Sequence, residues 1–223
     1  MLNFAVDPKI LGPLVPLGTE IDFENGETFL SIVGFLFLDT RLLGLPVPLH
    51  RDFEEVNLRF YVRKKSADSW RRGVVFVREL VPRRAIAVVA RTFYGENYVA
   101  LPMKHQIDHV DLRLSVEYAW RRGRKWEWLK MRASGEPQSR PAGSHAKFIT
   151  EHYWGYTKVR GGCNEYRVEH PRWKIWNAED FEFSADVAGL YGDQFVETLT
   201  APPRSALIAD GSPIQVLLRE QLA

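Results

Sequence analysis

Scarce residue types narrow this chain first. It carries one cysteine, Cys163, so no disulfide can form within it, and a reducing, cytoplasmic setting is expected. Long hydrophobic runs are missing. Residues 29–38 are the most apolar stretch, and Ser31 and Gly34 interrupt it. That is about half of what a membrane-spanning helix needs, so no membrane association is expected. The first residues lack a basic segment leading into an apolar one, and no secretory signal is read there. The net charge of +2 is too small to attract nucleic acid. There is no glycine-rich phosphate loop or dinucleotide fingerprint, and no Gly-x-Ser-x-Gly elbow. No cofactor is expected.

What is present suits a β-rich globular protein. A chain of 223 residues can bury a core without disulfides or metals. Its seven tryptophans favour strands, where flat rings pack on a pleated surface. One α+β domain over residues 1–223 is expected, built on an antiparallel sheet that curls into a barrel-like or cone-like core, with a few short helices.

Local signals fill in this outline. Asp7 before Pro8 suits the cap and first turn of a short helix. Asn25-Gly26 is a tight-turn dipeptide leading into residues 29–38. Prolines at 46 and 48 mark a connecting loop. The clearest segment is 55–63. Val56, Leu58, Phe60 and Val62 alternate with Glu55, Asn57, Arg59, Tyr61 and Arg63, a period of two that means a strand with one apolar and one polar face. Residues 73–77 form its antiparallel partner. Residues 82–93 fit a short helix, opened by Pro82 and ended before Gly95. Residues 110–118 alternate again and pair with 125–133 across Arg122-Gly-Arg124. Residues 134–144 read as a long mobile loop, and 148–156 as aromatic and irregular. Strands follow at 166–170 and 173–176. Residues 186–199 suit a helix broken near Gly192. A hairpin around Asp210-Gly211 ends the chain.

The polar face of strand 55–63 is the main candidate site. Glu55, Asn57, Arg59 and Tyr61 offer an acid, an amide, a guanidinium fork and a phenol on one side. Such a row can hold a carboxylate, with Arg59 as the clamp. The ordinary fate of such a face is solvation. Arg91 either joins the same cavity or caps the helix over 82–93. Glu151 and His152 can supply an acid–base pair, although a histidine among aromatics is more often packed and hydrogen-bonded. His105 and His109 stand four apart. On the strand start that their flanks suggest, they are too far apart for one ion, and no metal site is expected. Cys163 has no base near it in sequence. Residues 120–128 mix cations with tryptophans and read as a soluble hairpin tip rather than a nucleic-acid surface.

Several segments taken together carry a resemblance. They are Ser31-Ile-Val-Gly-Phe35, Glu55-Val-Asn-Leu-Arg-Phe-Tyr-Val62, Thr150-Glu-His-Tyr-Trp-Gly-Tyr156, Glu165-Tyr-Arg-Val-Glu-His-Pro171 with Trp173, and Leu190-Tyr-Gly192. The chain resembles an uncharacterised bacterial domain-of-unknown-function family that is distantly related to acetoacetate decarboxylase. The resemblance implies a barrel-like sheet around a cavity and a homodimer or larger assembly. It implies no established reaction. The decarboxylase relatives use a lysine nucleophile whose amine is kept neutral by desolvation and by the charge of a second lysine beside it. In that family the lysine pair follows a proline, shortly after a helix resembling Ala85-Ile-Ala-Val88. Here Pro102 is followed by Met103-Lys104, so one amine is missing. Shifting the gap puts Tyr98 or Val99 there, and both are missing. The family's Asn-Arg-Glu turn resembles Asn25-Gly26-Glu27, with Gly26 in place of the arginine. Lys64-Lys65 follows the wrong strand. The expectation is a protein that binds a small organic-acid-like molecule in its β-rich core, or an enzyme that works without a Schiff-base lysine pair. The alternative is a non-catalytic interaction or scaffold domain.

Overall fold

The period-two segment lies in the middle of the largest sheet. The structure is a computed structural model and describes residues 1–38, 41–42, 45–46, 52–67, 69–83, 97–141, 143–217 and 220–222. The chain begins with β1 (Leu2–Val6), α1 (Pro8–Leu11), β2 (Glu20–Ile21), β3 (Thr28–Phe37), β4 (Arg41–Leu42) and β5 (Leu45–Pro46). The long strands β6 (Phe53–Lys65) and β7 (Trp70–Val81) follow, then β8 (Tyr98–Ala100), β9 (Met103–Val110), β10 (Arg113–Arg122) and β11 (Lys125–Ser134). Next come α2 (His145–Thr150), β12 (Trp154–Val159), β13 (Gly162–Glu169), β14 (Ile175–Asn177) and β15 (Asp180–Ser184). The chain closes with α3 (Val187–Tyr191), α4 (Val196–Thr200), β16 (Ser205–Ala209), β17 (Gln215–Val216) and β18 (Glu220–Leu222).

Several sequence signals act as expected. Asp7 caps α1 by accepting from the Lys9 amide at 2.8 Å. Asn25 and Gly26 both have positive φ, 51° and 85°, which a type I′ turn requires. Gly192 interrupts the 187–200 helical segment. The helix expected over 82–93 falls largely on residues 84–96, which lie outside the described residues.

Three local expectations need correction. Residues 110–118 are not one strand. Asp111, at φ 53°, turns the chain so that β9 and β10 pair as neighbours, and the alternation merely continues through the turn. Residues 148–156 are not irregular, since they hold the end of α2 and the start of β12. The segments around Asp210-Gly211 do not pair with each other. β16 pairs with β1 and β14, while β17 pairs with β13. Local turn chemistry permitted the hairpin, and longer-range ladders took both strands. The 134–144 stretch is tied to β14 through paired bonds between Gln138 and Ile175.

The main sheet has twelve strands, with the order β14-β16-β1-β3-β6-β7-β12-β13-β17 and β2, β8 and β18 attached at its flanks. A second sheet runs β15-β11-β10-β9. No sheet closes into a barrel among the described residues, which corrects the barrel-like expectation. The large sheet ends on the short strands β14 and β17, and the second sheet and the helices near the C-terminal end pack on its apolar side. Val56, Leu58, Phe60 and Val62 on β6 are fully buried there. They belong to one cluster with Tyr118, Trp120, Leu129 and Met131 of the second sheet and Leu190, Tyr191, Phe195 and Leu199 of α3, α4 and the turn between them. Burying each such aliphatic side chain contributes about 1.5–3 kcal/mol. Gly34 of β3 makes the sheet contact possible, because a Cβ there would stand 2.6 Å from the Tyr118 ring.

Candidate functional site

The polar face of β6 is covered over most of its length, and only Arg59 and Arg63 are half-buried. Glu55, Asn57 and Tyr61 are as buried as the apolar residues between them. Neighbouring strands and α2 cover this side, where Phe29, Val33, Val74, Phe148 and Ile149 form a second cluster around Tyr61. A strand buried on both faces must satisfy its polar side chains internally or leave them for a ligand.

Register decides which groups meet. Asn57 lies opposite Val33 on β3 and Glu79 on β7, and Glu79 lies opposite Tyr98 on β8. Directly paired residues share a face, so Asn57, Glu79 and Tyr98 form a row, with Glu55 one repeat further along β6. Asn57 Nδ2 donates to Glu55 Oε1 at 3.0 Å, and the Tyr98 hydroxyl donates to Glu55 Oε2 at 3.1 Å. Burial raises the Glu55 carboxyl to about 7. Its bonds from Asn57 and Tyr98 and the charge of Arg59 pull the other way. Burial, and then the charges of Glu55 and Glu79, pushes the Tyr98 phenol well above its ordinary value. Glu55 can therefore both give and take a proton near neutral pH.

Arg59 occupies the next repeat along β6. Its Nη2 reaches the Ile149 carbonyl at 3.4 Å, and its guanidinium lies 5.7 Å from the Tyr61 ring centre. Arg59 Nε and Asn57 Oδ1 are buried and have no partner among the described residues. A register shift at Leu58 and Arg59 leaves Val77 of β7 unpaired, a bulge that re-aims the side chains beyond it. This is why Phe76 lies opposite Arg59 while Glu79 lies opposite Asn57.

Tyr61 and His152 close the other end. The Tyr61 hydroxyl is 2.6 Å from Ser31 Oγ, and its ring stands 4.6 Å from the His152 ring. His152 Nε2 lies 3.3 Å from Asp22 Oδ2, which also accepts from Arg72 Nε at 2.6 Å. Burial lowers the His152 imidazole to about 4, against the opposing bond to Asp22. The ring is thus neutral at pH 7, with Nε2–H donating to Asp22 and Nδ1 buried without a partner among the described residues. For Asp22, burial raises the carboxyl, but the bonds from His152 and Arg72 outweigh it and hold the group below the ordinary range.

Of the residues expected from sequence, the structure gathers Glu55, Asn57, Arg59, Tyr61 and His152 along one buried face. Glu151 turns instead to Lys147 at 3.6 Å and Arg172 at 3.4 Å. Arg91 lies outside the described residues. Glu79 and Tyr98 escaped sequence reading. The available signal was a charged pair, Arg78-Glu79, directly after the apolar run at residues 74–77.

The remaining candidates take plain structural roles. Lys104 is exposed on β9, with its ammonium 4.9 Å from the Trp126 ring centre. Lys64 pairs with Glu165 at 3.2 Å. His105 and His109 are exposed on a strand, as expected, and His105 contacts Glu54 at 2.7 Å. Residues 120–128 form the tip of the β10–β11 hairpin, where buried Trp120 donates to Glu127 at 2.7 Å. Cys163 is buried in β13.

Family-level similarity spans almost all of this arrangement. Residues 1–213 match a single family, DUF2071, described as an uncharacterized conserved protein. The chain belongs to this DUF2071 family. It is 30% identical over 187 residues to the uncharacterized protein YqjF of Bacillus subtilis, covering 79% of this chain and 72% of that one. In fold it is similar to an acetoacetate decarboxylase-like enzyme from Sphingomonas wittichii. The TM-score is 0.63 at 14% identity, with 99% of this chain and 89% of that one covered. The enduracididine biosynthesis enzyme MppR, solved in complex with pyruvate, gives a TM-score of 0.59 at 14% identity over 92% of this chain and 80% of its own. These structures establish an acetoacetate decarboxylase-like fold for this DUF2071 member, mostly β with a few short helices.

Proposed function

We propose that this DUF2071 protein binds a small organic acid against the buried face of β6 and is equipped to move a proton on it. The carrying observation is a pair of buried atoms two residues apart, Arg59 Nε and Asn57 Oδ1, that have no partner among the described residues. One needs an acceptor and the other a donor. A carboxylate on the guanidinium and a hydroxyl on the amide oxygen would satisfy both. Glu55, raised to about 7, is the acid–base group beside them. The pyruvate held by MppR supports a short oxo acid as the ligand class. The lysine arrangement favours a route without a Schiff base, because Lys104 is exposed and so is not desolvated.

Thermal-shift measurements with pyruvate and with lactate test the reading. Either acid at 100 times its Kd should stabilise the wild type by about 2.7 kcal/mol, and an Arg59→Gln variant should lose most of that gain. If neither acid shifts the wild type, or if Arg59→Gln responds equally, the clamp is wrong and the scaffold alternative gains.

A further inference from the structure

A second set of polar groups lies at the edge of the same side, away from Glu55, and it ends in a nucleophile. His145 is the first residue of α2. Its Nδ1 lies 2.5 Å from Glu24 Oε2, and its Nε2 lies 2.9 Å from Ser205 Oγ. Ser205 Oγ in turn lies 2.9 Å from Asn3 Nδ2. Asn3 Oδ1 is 2.6 Å from Ser31 Oγ, which is 2.6 Å from the Tyr61 hydroxyl.

The direction of every bond in this chain follows from what each atom can do. Asn3 Oδ1 only accepts, so Ser31 spends its proton there, and Tyr61 must donate to Ser31. Asn3 Nδ2 only donates, so Ser205 Oγ accepts from it. Glu24 is a carboxylate, so in the neutral imidazole the proton sits on Nδ1 and Nε2 is left as an acceptor. Ser205 therefore donates its hydroxyl proton to His145 Nε2. All the donors point one way, from Tyr61 to Glu24, and each bond polarises the next. The Phe29 ring, 4.8 Å from the imidazole in an edge arrangement, holds His145 on its inner side. Ser205 is half-buried, and the His145 and Glu24 side chains are 28% and 12% exposed, so the cluster is partly open to solvent rather than sealed in the core.

We infer that Ser205, His145 and Glu24 form a nucleophile, base and orienting carboxylate for hydrolysis of small carboxylic esters, at a site separate from the organic-acid face. Ser205 Oγ attacks the ester carbonyl and a C–O bond forms, while its proton passes to His145 Nε2. The alcohol's C–O bond then breaks, and the alcohol departs with that proton. Water attacks the acyl-serine, gives a proton to His145 and releases the acid, and the proton returns to Ser205. Glu24 and Asn3 are positioning residues. Glu24 fixes the tautomer, and Asn3 donates to the oxygen that loses its proton.

A fluorophosphonate tests this directly. In the expected result Ser205 Oγ bonds to phosphorus, fluoride leaves, and peptide mapping finds a one-to-one adduct on Ser205. His145→Gln should react about 100-fold more slowly, with its fold checked by thermal melting. No adduct on Ser205 in the wild type would overturn the inference, as would equal labelling of a folded His145→Gln. Should that variant not fold, Glu24→Gln decides. Nitrogen-15 NMR should show His145 as the Nδ1–H tautomer in the wild type and a tautomer mixture in Glu24→Gln, with slower labelling. An unchanged tautomer and rate would refute the assignment.

Discussion

Replacing Glu55 by glutamine removes a carboxyl that the fold pushes from its ordinary 4.5 to about 7. Glutamine is neutral at every pH and keeps one of the two oxygens that accept from Asn57 and Tyr98, with an amide nitrogen in place of the other. The sign follows from linkage. A raised pKa means that the folded protein holds this proton more tightly than the unfolded chain. Below about pH 4.5 both states hold it, and the contribution of Glu55 is fully present. As the pH rises through about 7 the buried carboxyl must ionise, and that contribution is lost. Each pH unit in the window changes stability by about 1.4 kcal/mol, so the whole window is worth about 3 kcal/mol. Glu55 is 2% exposed, so water screens little of this. The assay is urea denaturation of wild type and Glu55→Gln at several pH values between about 4 and about 8. The wild-type stability minus that of the variant should fall by about 3 kcal/mol across that range. Taking the difference cancels the titrating groups that do not interact with Glu55. A difference that stays flat would refute the reasoning, because it would mean that Glu55 ionises in the fold as readily as in water.

Three further outcomes follow from the same physics. His152, lowered to about 4 by burial, should behave in the opposite sense. Unfolded His152 takes up a proton that the folded ring refuses, so wild-type stability relative to His152→Phe should drop as the pH falls from about 6.5 toward about 4, read by the same urea titrations. Gly73→Ala would place a Cβ 2.6 Å from the Trp154 carbonyl oxygen, at the parallel junction of β7 with β12. It should cost about 1–3 kcal/mol in thermal melting, and an unchanged melting temperature would show that the backbone there can yield. Incubation with acetoacetate and borohydride should leave no adduct on Lys104, since an exposed ammonium beside Trp126 lacks the desolvation that makes a lysine nucleophilic. A stoichiometric adduct by mass spectrometry would contradict this.

Much of the fold could be read before any coordinates, and particular residues show why. The alternation from Glu55 to Arg63 specifies a strand, because side-chain direction reverses at every residue whatever the surroundings. Asn25-Gly26 specifies its turn because both positions tolerate positive φ. The four candidates on β6 share a face for the same local reason. Local patterns failed where partners compete. Asp210-Gly211 could have closed a hairpin, but β16 found β1 and β14 instead. The 110–118 alternation hid a turn, because two strands of like pattern joined at Asp111 look the same as one.

Local pattern thus settles which residues alternate, which turn and which are available as a polar row. Whether that row is buried is a matter of packing, because burial depends on what lies over the strand, and α2 arrives there from some ninety residues away. Long-range pairing also brings Glu79 and Tyr98 to Glu55, since a single unpaired residue, Val77, resets the register between β6 and β7. Glu24, His145 and Ser205 meet in the folded chain for the same reason. His145 lies 121 positions from Glu24 and 60 from Ser205, and no period or spacing links residues that distant.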